Sequence, residues 1–253
     1  MRALRQDGKN SEGNATNYTY APPITTCGKM SYQYGYLEIR AKVPVKKGTC
    51  PAFWLKSWND QFEIYKGDVK LGFNPNKSFE GEIDVLETFG YECLIPNIHK
   101  FWNPISGLKD VHDQANNYEG KTTKYYFTDN SSPDDWHTYG CEWTPDAISM
   151  YVDGIKYNTY NLNEVYDSPW ATGWNKNWNG STEDVVDKSG FDAPLTIVLG
   201  MGLITNGLVA TDSTYQGREL VNSDYSLGDT VAEFAVDYIR LYQKADGKLW
   251  TKY

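Results

Sequence analysis

The chain has 253 residues with 33 acidic and 24 basic side chains, a net charge of −9 and a pI near 4.9. That length is ample to bury a core and suits one large all-β domain or two small ones. The acid excess argues against a nucleic-acid partner, no stretch reaches the ~18 apolar residues of a membrane span, and no charged-then-apolar leader opens the chain.

The first thirty residues read as polar loop, punctuated by Gly13, Asn14, Asn17 and Pro22-Pro23. From Tyr34 to Val43 the pattern becomes regular: Tyr36, Glu38, Arg40 and Lys42 alternate with Leu37, Ile39, Ala41 and Val43, which is a strand with one buried face. Pro51 to Leu55 is a short apolar run between breakers, and Glu80 to Phe89 is a third strand. His137–Trp143 and Ile148–Val152 flank the turn Thr144-Pro-Asp-Ala147, and Asp153-Gly154 turns the chain into Ile155–Tyr160. These three strands form an antiparallel meander. Residues 161–193 read as a long loop, and Pro194–Met201 and Phe234–Tyr242 supply two more strands. With no helix-period stretch beyond two turns, the chain is one all-β sandwich over residues 1–253.

Mean hydropathy is −0.61, yet 15% of residues are aromatic, mostly Tyr (20) and Trp (9). Such rings serve as core filler or as platforms for flat amphipathic ligands. Cys27, Cys50, Cys93 and Cys141 are irregularly spaced and read as buried thiols. Only His99, His112 and His137 occur, none in a ligand-spaced pair, so no catalytic transition metal is expected.

The chemistry concentrates in Gly81-Glu-Ile-Asp-Val-Leu-Glu87. In a regular strand Glu82 and Asp84 share one face, and Glu87 falls on the other with Ile83 and Val85. Burying that carboxylate among aliphatics is costly. A one-residue bulge near Val85 or Leu86 resets the phase and returns Glu87 to the first face. The two glutamate backbones then stand on the order of 13 Å apart, and their side chains can lean toward the ~5–5.5 Å carboxyl separation of a retaining glycosidase. Clustered like charges raise one pKa, as a general acid requires. Alone, such a string more often marks a solvated strand face than a catalytic site.

Its flanks add to it. Tyr34-Gly-Tyr-Leu-Glu-Ile-Arg40, Pro51-Ala-Phe-Trp-Leu55, Trp136-His-Thr-Tyr139, Glu142-Trp-Thr-Pro145, Tyr151-Val-Asp-Gly154 and Val236-Asp-Tyr-Ile-Arg-Leu-Tyr242 surround it in order. Together they resemble glycoside hydrolase family 16, the laminarinase, lichenase, agarase and carrageenase group, over residues ~25–245. The resemblance implies a concanavalin-like jelly-roll sandwich of two curved antiparallel sheets, and retaining endo-hydrolysis of a β-linked polysaccharide. It makes Glu82 the nucleophile, Asp84 its helper and Glu87 the acid/base, in the bulged branch of the family. The expected substrate is β-1,3- or mixed-linkage β-glucan. The alternatives are an agar-, porphyran- or carrageenan-like galactan, a non-catalytic carbohydrate-binding jelly roll, or an inactive fragment.

Substrate-binding candidates are Trp54, His99, Trp102, Trp174 and Trp178; Trp170 continues the spacing of four in the long loop. Trp136 and Trp143 read as core, and His137 as structural. No cofactor is required. A structural calcium at Asp237 is what the resemblance implies, whereas Asp184, Asp187 and Asp192 lack calcium-loop spacing. Relative to the family, Cys50 replaces a Trp, and Leu199-Gly-Met-Gly202 lacks a usual Asn. The chain also starts later, so that the sandwich edge is trimmed or otherwise covered. The expected protein is a monomer acting on polysaccharide outside the cell, secreted, periplasmic or at the cell surface.

Overall fold

Every period-two stretch picked out above becomes a strand. The structure is a computed structural model that describes residues 1–9, 15–20, 23–45, 49–56, 64–66, 69–71, 79–88, 93–102, 116–117, 124–128, 130–163, 191–203, 230–245 and 248–251. In chain order the strands begin β1 (Arg2–Lys9), β2 (Ala15–Tyr20), β3 (Ile24–Thr25), β4 (Met30–Gln33), β5 (Gly35–Lys42), β6 (Thr49–Lys56) and β7 (Ile64–Lys66). They continue with β8 (Val69–Leu71), β9 (Phe79–Glu87), β10 (Cys93–Leu94), β11 (Asn97–Trp102), β12 (Asn116–Asn117) and β13 (Tyr125–Tyr126). The last are β14 (His137–Trp143), β15 (Ala147–Val152), β16 (Ile155–Asn161), β17 (Thr196–Leu203), β18 (Thr230–Glu233), β19 (Ala235–Tyr242) and β20 (Lys248–Thr251). The described residues contain no helix.

Two antiparallel sheets make the sandwich. One has six strands in the order β12-β11-β9-β6-β17-β3, the other five in the order β16-β15-β14-β5-β19. Alternation decides which side chains fill the space between them. Leu37, Ile39 and Ala41 of β5, Tyr139, Cys141 and Trp143 of β14, and Ile148, Met150 and Val152 of β15 are buried. They join one cluster with Phe53 and Leu55 of β6, Ile83, Val85 and Leu86 of β9, Ile98 of β11, and Ile197 and Leu199 of β17. Each such aliphatic or phenyl side chain contributes about 1.5–3 kcal/mol by leaving water. Two large buried rings turn their polar tips to backbone carbonyls: Trp143 Nε1 donates to Phe191 O at 3.2 Å, and Tyr160 Oη to Pro96 O at 2.9 Å.

The meander β14–β15–β16 forms as expected, with Asp153 (φ 49°) and Gly154 (φ 76°) both left-handed at its tight turn. His137 is structural: its Nδ1 lies 2.6 Å from Asp153 Oδ2, and its Nε2 3.1 Å from Ser132 O. Thr138 N and Oγ1 also donate to Asp153 Oδ1, at 2.8 and 3.2 Å.

Three expectations need correction. The polar opening is not loop, because β1 pairs with β2 from Leu4↔Tyr20 to Lys9↔Ala15 and with β18 at Arg2↔Glu233. Thr16, Tyr18, Thr19 and Tyr20 are polar yet β-prone, and a stretch without alternating aliphatics carries no hydrophobic signature. Trp136 is not core: it is 40% exposed beneath the Arg40 guanidinium, 4.7 Å from the ring centre. Of the four cysteines, none of which is bridged, Cys93 and Cys141 are buried but Cys27 and Cys50 only partly.

Candidate active site

The predicted bulge is present. Lys56 pairs with Glu82, Leu55 with Ile83 and Trp54 with Asp84; the register then slips, and Phe53 pairs with Leu86 and Ala52 with Glu87. Val85 is therefore the extra residue. Cross-strand partners share a face, so Phe53, Leu55, Ile83 and Leu86 point into the core. Ala52, Trp54, Lys56, Glu82, Asp84 and Glu87 stand together on the opposite side of the six-stranded sheet. From the other flank β11 sets His99 opposite Glu82 and Asn97 opposite Asp84. The slip keeps Val85 and Leu86 buried, at 2% and 0% exposure, and spares Glu87 the core.

Each carboxylate receives a different neighbour. Lys56 Nζ lies 2.6 Å from Glu82 Oε2, and His99 Nε2 2.8 Å from Asp84 Oδ2. Glu87 has the weakest of the three, the Cys50 thiol, whose Sγ lies 3.6 Å from its Oε1. The charges follow from these contacts. Burial, then the Asp84 charge, pushes the Glu87 carboxyl up to about 8, so it keeps its proton at neutral pH. Burial and then Asp84 also raise Glu82, and it stays above the ordinary carboxylate value although the charge and hydrogen bond of Lys56, with His99, oppose them. Burial depresses the His99 imidazolium; the hydrogen bond and charge of Asp84, then Glu82 and Glu87, outweigh this and lift it to about 9. The site thus holds a charged Asp84–His99 pair between a cation-paired glutamate and a protonated one.

Trp54 lies beside this row. A β-carbon added at Gly200 of β17 would sit 2.8 Å from Trp54 Cη2 and 3.0 Å from Cζ3. The indole therefore covers Gly200, within the segment that departs from the family's Asn. Of the other predicted binding residues, His99 is in the site and Trp102 ends β11 opposite Phe79. Trp170, Trp174 and Trp178 lie outside the described residues. Asp237 is remote from the carboxylates: its Oδ2 accepts from Arg40 Nη1 at 2.6 Å on β5. Among the described residues it belongs to no cluster of three His, Cys, Asp or Glu groups. Oxygen and nitrogen atoms of Glu82, Asp84 and His99 do come within 4.8 Å of one another. The Lys56 ammonium, 2.6 Å from Glu82 Oε2, opposes a further cation there.

Sequence reasoning missed Lys56 altogether and saw in Cys50 only a lost aromatic. The same alternation would have found both: Cys50, Ala52, Trp54 and Lys56 occupy the partly exposed positions of β6.

Comparison with known proteins agrees with this architecture. The chain is 28% identical to the β-glucanase of Rhodothermus marinus, over 89% of this chain and 63% of that protein. It is 25% identical to a β-1,3-glucan-binding protein of Penaeus monodon, over 64% of this chain and 44% of that one. It therefore spans less than two thirds of either relative's length. The crystal structure of the laminarinase catalytic domain from Thermotoga maritima MSB8 superposes with a TM-score of 0.56 at 24% identity, covering 97% of this chain and 77% of that one. This likeness extends to the jelly-roll fold. The sequence model for glycosyl hydrolases family 16 matches residues 3–183, which include β5, β6 and the bulged β9, and the chain belongs to that family.

Proposed function

We propose that this protein is an endo-acting, retaining glycoside hydrolase that cleaves β-1,3- or mixed-linkage β-1,3-1,4-glucan outside the cell. In the first step the Glu82 carboxylate attacks the anomeric carbon while Glu87 gives its proton to the departing glycosidic oxygen. The C–O bond breaks, a glycosyl ester forms on Glu82, and Glu87 is left as the anion. In the second step Glu87 takes a proton from water, whose oxygen attacks the same carbon and displaces Glu82 as carboxylate. Two inversions return the original anomeric configuration. Asp84, neutralised by His99, stands between the two glutamates and keeps their roles apart.

The observation that carries this reading is the bulge at Val85. It puts all three carboxylates on one face and leaves Glu87 with its carboxyl lifted to about 8 and Glu82 beside a cation. A module that only binds sugar has no use for a proton held on one acid beside an ion-paired second. Neutral glucan is favoured over a sulfated galactan because the two cations beside the three carboxylates, Lys56 and His99, are both engaged by them. Neither is left to meet a sulfate.

The test is a reducing-end assay on laminarin, lichenan, agarose and carrageenan, with product anomers followed by proton NMR. Hydrolysis of a glucan with the β-anomer appearing first is expected. Inverted products, or no hydrolysis of any polymer, would overturn the proposal.

A further inference from the structure

The reaction proposed above gives Lys56 no task, and the inference that follows rests on that reaction. We infer that Lys56 is a positioning residue of the catalytic centre, holding Glu82 as the anion through Oε2 and balancing the charge that moves between the two glutamates. Strand register delivers it: Lys56 is the cross-strand partner of Glu82, and Nζ and Oε2 are 2.6 Å apart. Their side chains are only 28% and 16% exposed, so water screens the pair much less than it would a surface ion pair.

A count of charges supports the assignment. The groups facing Glu82 are Asp84 and Glu87 on its own strand, His99 from β11 and Lys56 from β6. With the proton on Glu87, two carboxylates and two cations remain, and the group is neutral. During the first step the Glu87 proton leaves with the sugar oxygen and Glu82 becomes an uncharged ester. Glu87 and Asp84 are then the anions, facing the same two cations, and the group is neutral again. Lys56 thus faces the carboxylate that becomes the ester, while His99 acts on both glutamates. Without Lys56 both states carry an uncompensated negative charge in a largely buried place, which raises the proton affinity of Glu82.

The experiment compares wild type with Lys56→Met and Lys56→Arg, checking each fold by circular dichroism. Proteins labelled with 13C at the glutamate carboxyl are titrated by NMR, the Glu82 resonance being the one missing from Glu82→Gln. In Lys56→Met the Glu82 midpoint should rise by about one unit or more, and the acid limb of kcat/KM should rise with it. That is a roughly ten-fold loss at pH values below the limb, with KM little changed. Lys56→Arg should restore both. A Glu82 midpoint and an acid limb that stay in place in Lys56→Met would overturn the inference. If Lys56→Met does not fold, Lys56→Gln takes its place under the same criterion. Should wild type cleave no polymer, the proposed reaction falls, while the NMR midpoint still decides whether Lys56 holds Glu82.

Discussion

Strands β5 and β9 carry nearly the same kind of pattern, ionisable residues alternating with aliphatics, and put it to opposite use. On β5 the outward side chains Glu38 and Arg40 are partly exposed, and their contacts are ordinary: Tyr238 Oη donates to Glu38 Oε1 at 3.1 Å, and Arg40 pairs with Asp237 at 2.6 Å. On β9 Glu82, Asp84 and Glu87 are withdrawn from water, Asp84 to 5% exposure, and Glu87 retains a proton near neutral pH. β5 has a bulged partner, since β19 shifts register between Val236 and Tyr238, but is itself regular. β9 bears its own extra residue. The difference teaches that charge on a strand face is inert when solvated, and becomes chemistry when like charges are crowded and dried together.

Breaking the β9 arrangement should cost most at the nucleophile. Glu82→Gln is expected to lower kcat by at least about a thousand-fold while sugar binding persists, which calorimetry with an oligosaccharide would show. Next comes Glu87→Gln, with a loss of about 10²–10⁴-fold and disappearance of the basic limb expected of wild type near pH 8. The same variant sharpens the contrast in stability. A carboxyl raised by burial adds most to stability below its ordinary value, and that contribution is lost as pH rises toward about 8. Glu87→Gln, which has no charge to bury, should therefore melt higher than wild type at pH 9 and show no such advantage at pH 4.

A smaller change makes β9 resemble β5. Deleting Val85 leaves Glu82, Asp84 and Glu87 at alternate positions, so a regular strand still presents all three together. The deletion should keep activity within about ten-fold but lose about 1.5–3 kcal/mol of stability with the buried valine, as read by urea unfolding. Smallest is Arg40→Met on the solvated face, expected to change stability by about 1 kcal/mol or less and hydrolysis not measurably.

Much of this could be read in the sequence because it is written in alternation. β5, β6, β9 and the meander each bury one face, and an aliphatic period of two is hard to mistake. Even the bulge was legible, since Glu87 would otherwise fall in the core. Strands β1 and β2 were not, because Thr, Tyr and Asn form a ladder without marking a buried side. Trp136 was misplaced because its motif does not say whether a cation covers the ring. Lys56 escaped notice for a related reason: a lysine ending an apolar run looks like the edge of a strand, and only cross-strand register shows that it meets Glu82.

The covering of Gly200 by Trp54 ties two strands of the sheet into one unit of choice. Any side chain at position 200 must evict the indole, and any smaller residue at position 54 uncovers the bare backbone of β17. The two positions cannot be explored one at a time: Gly200→Asn and Trp54→Ala should each disturb this face of the sheet, while the double change relieves part of the first. Such a shared volume means that a paired exchange reshapes the surface beside the carboxylates without touching an acid.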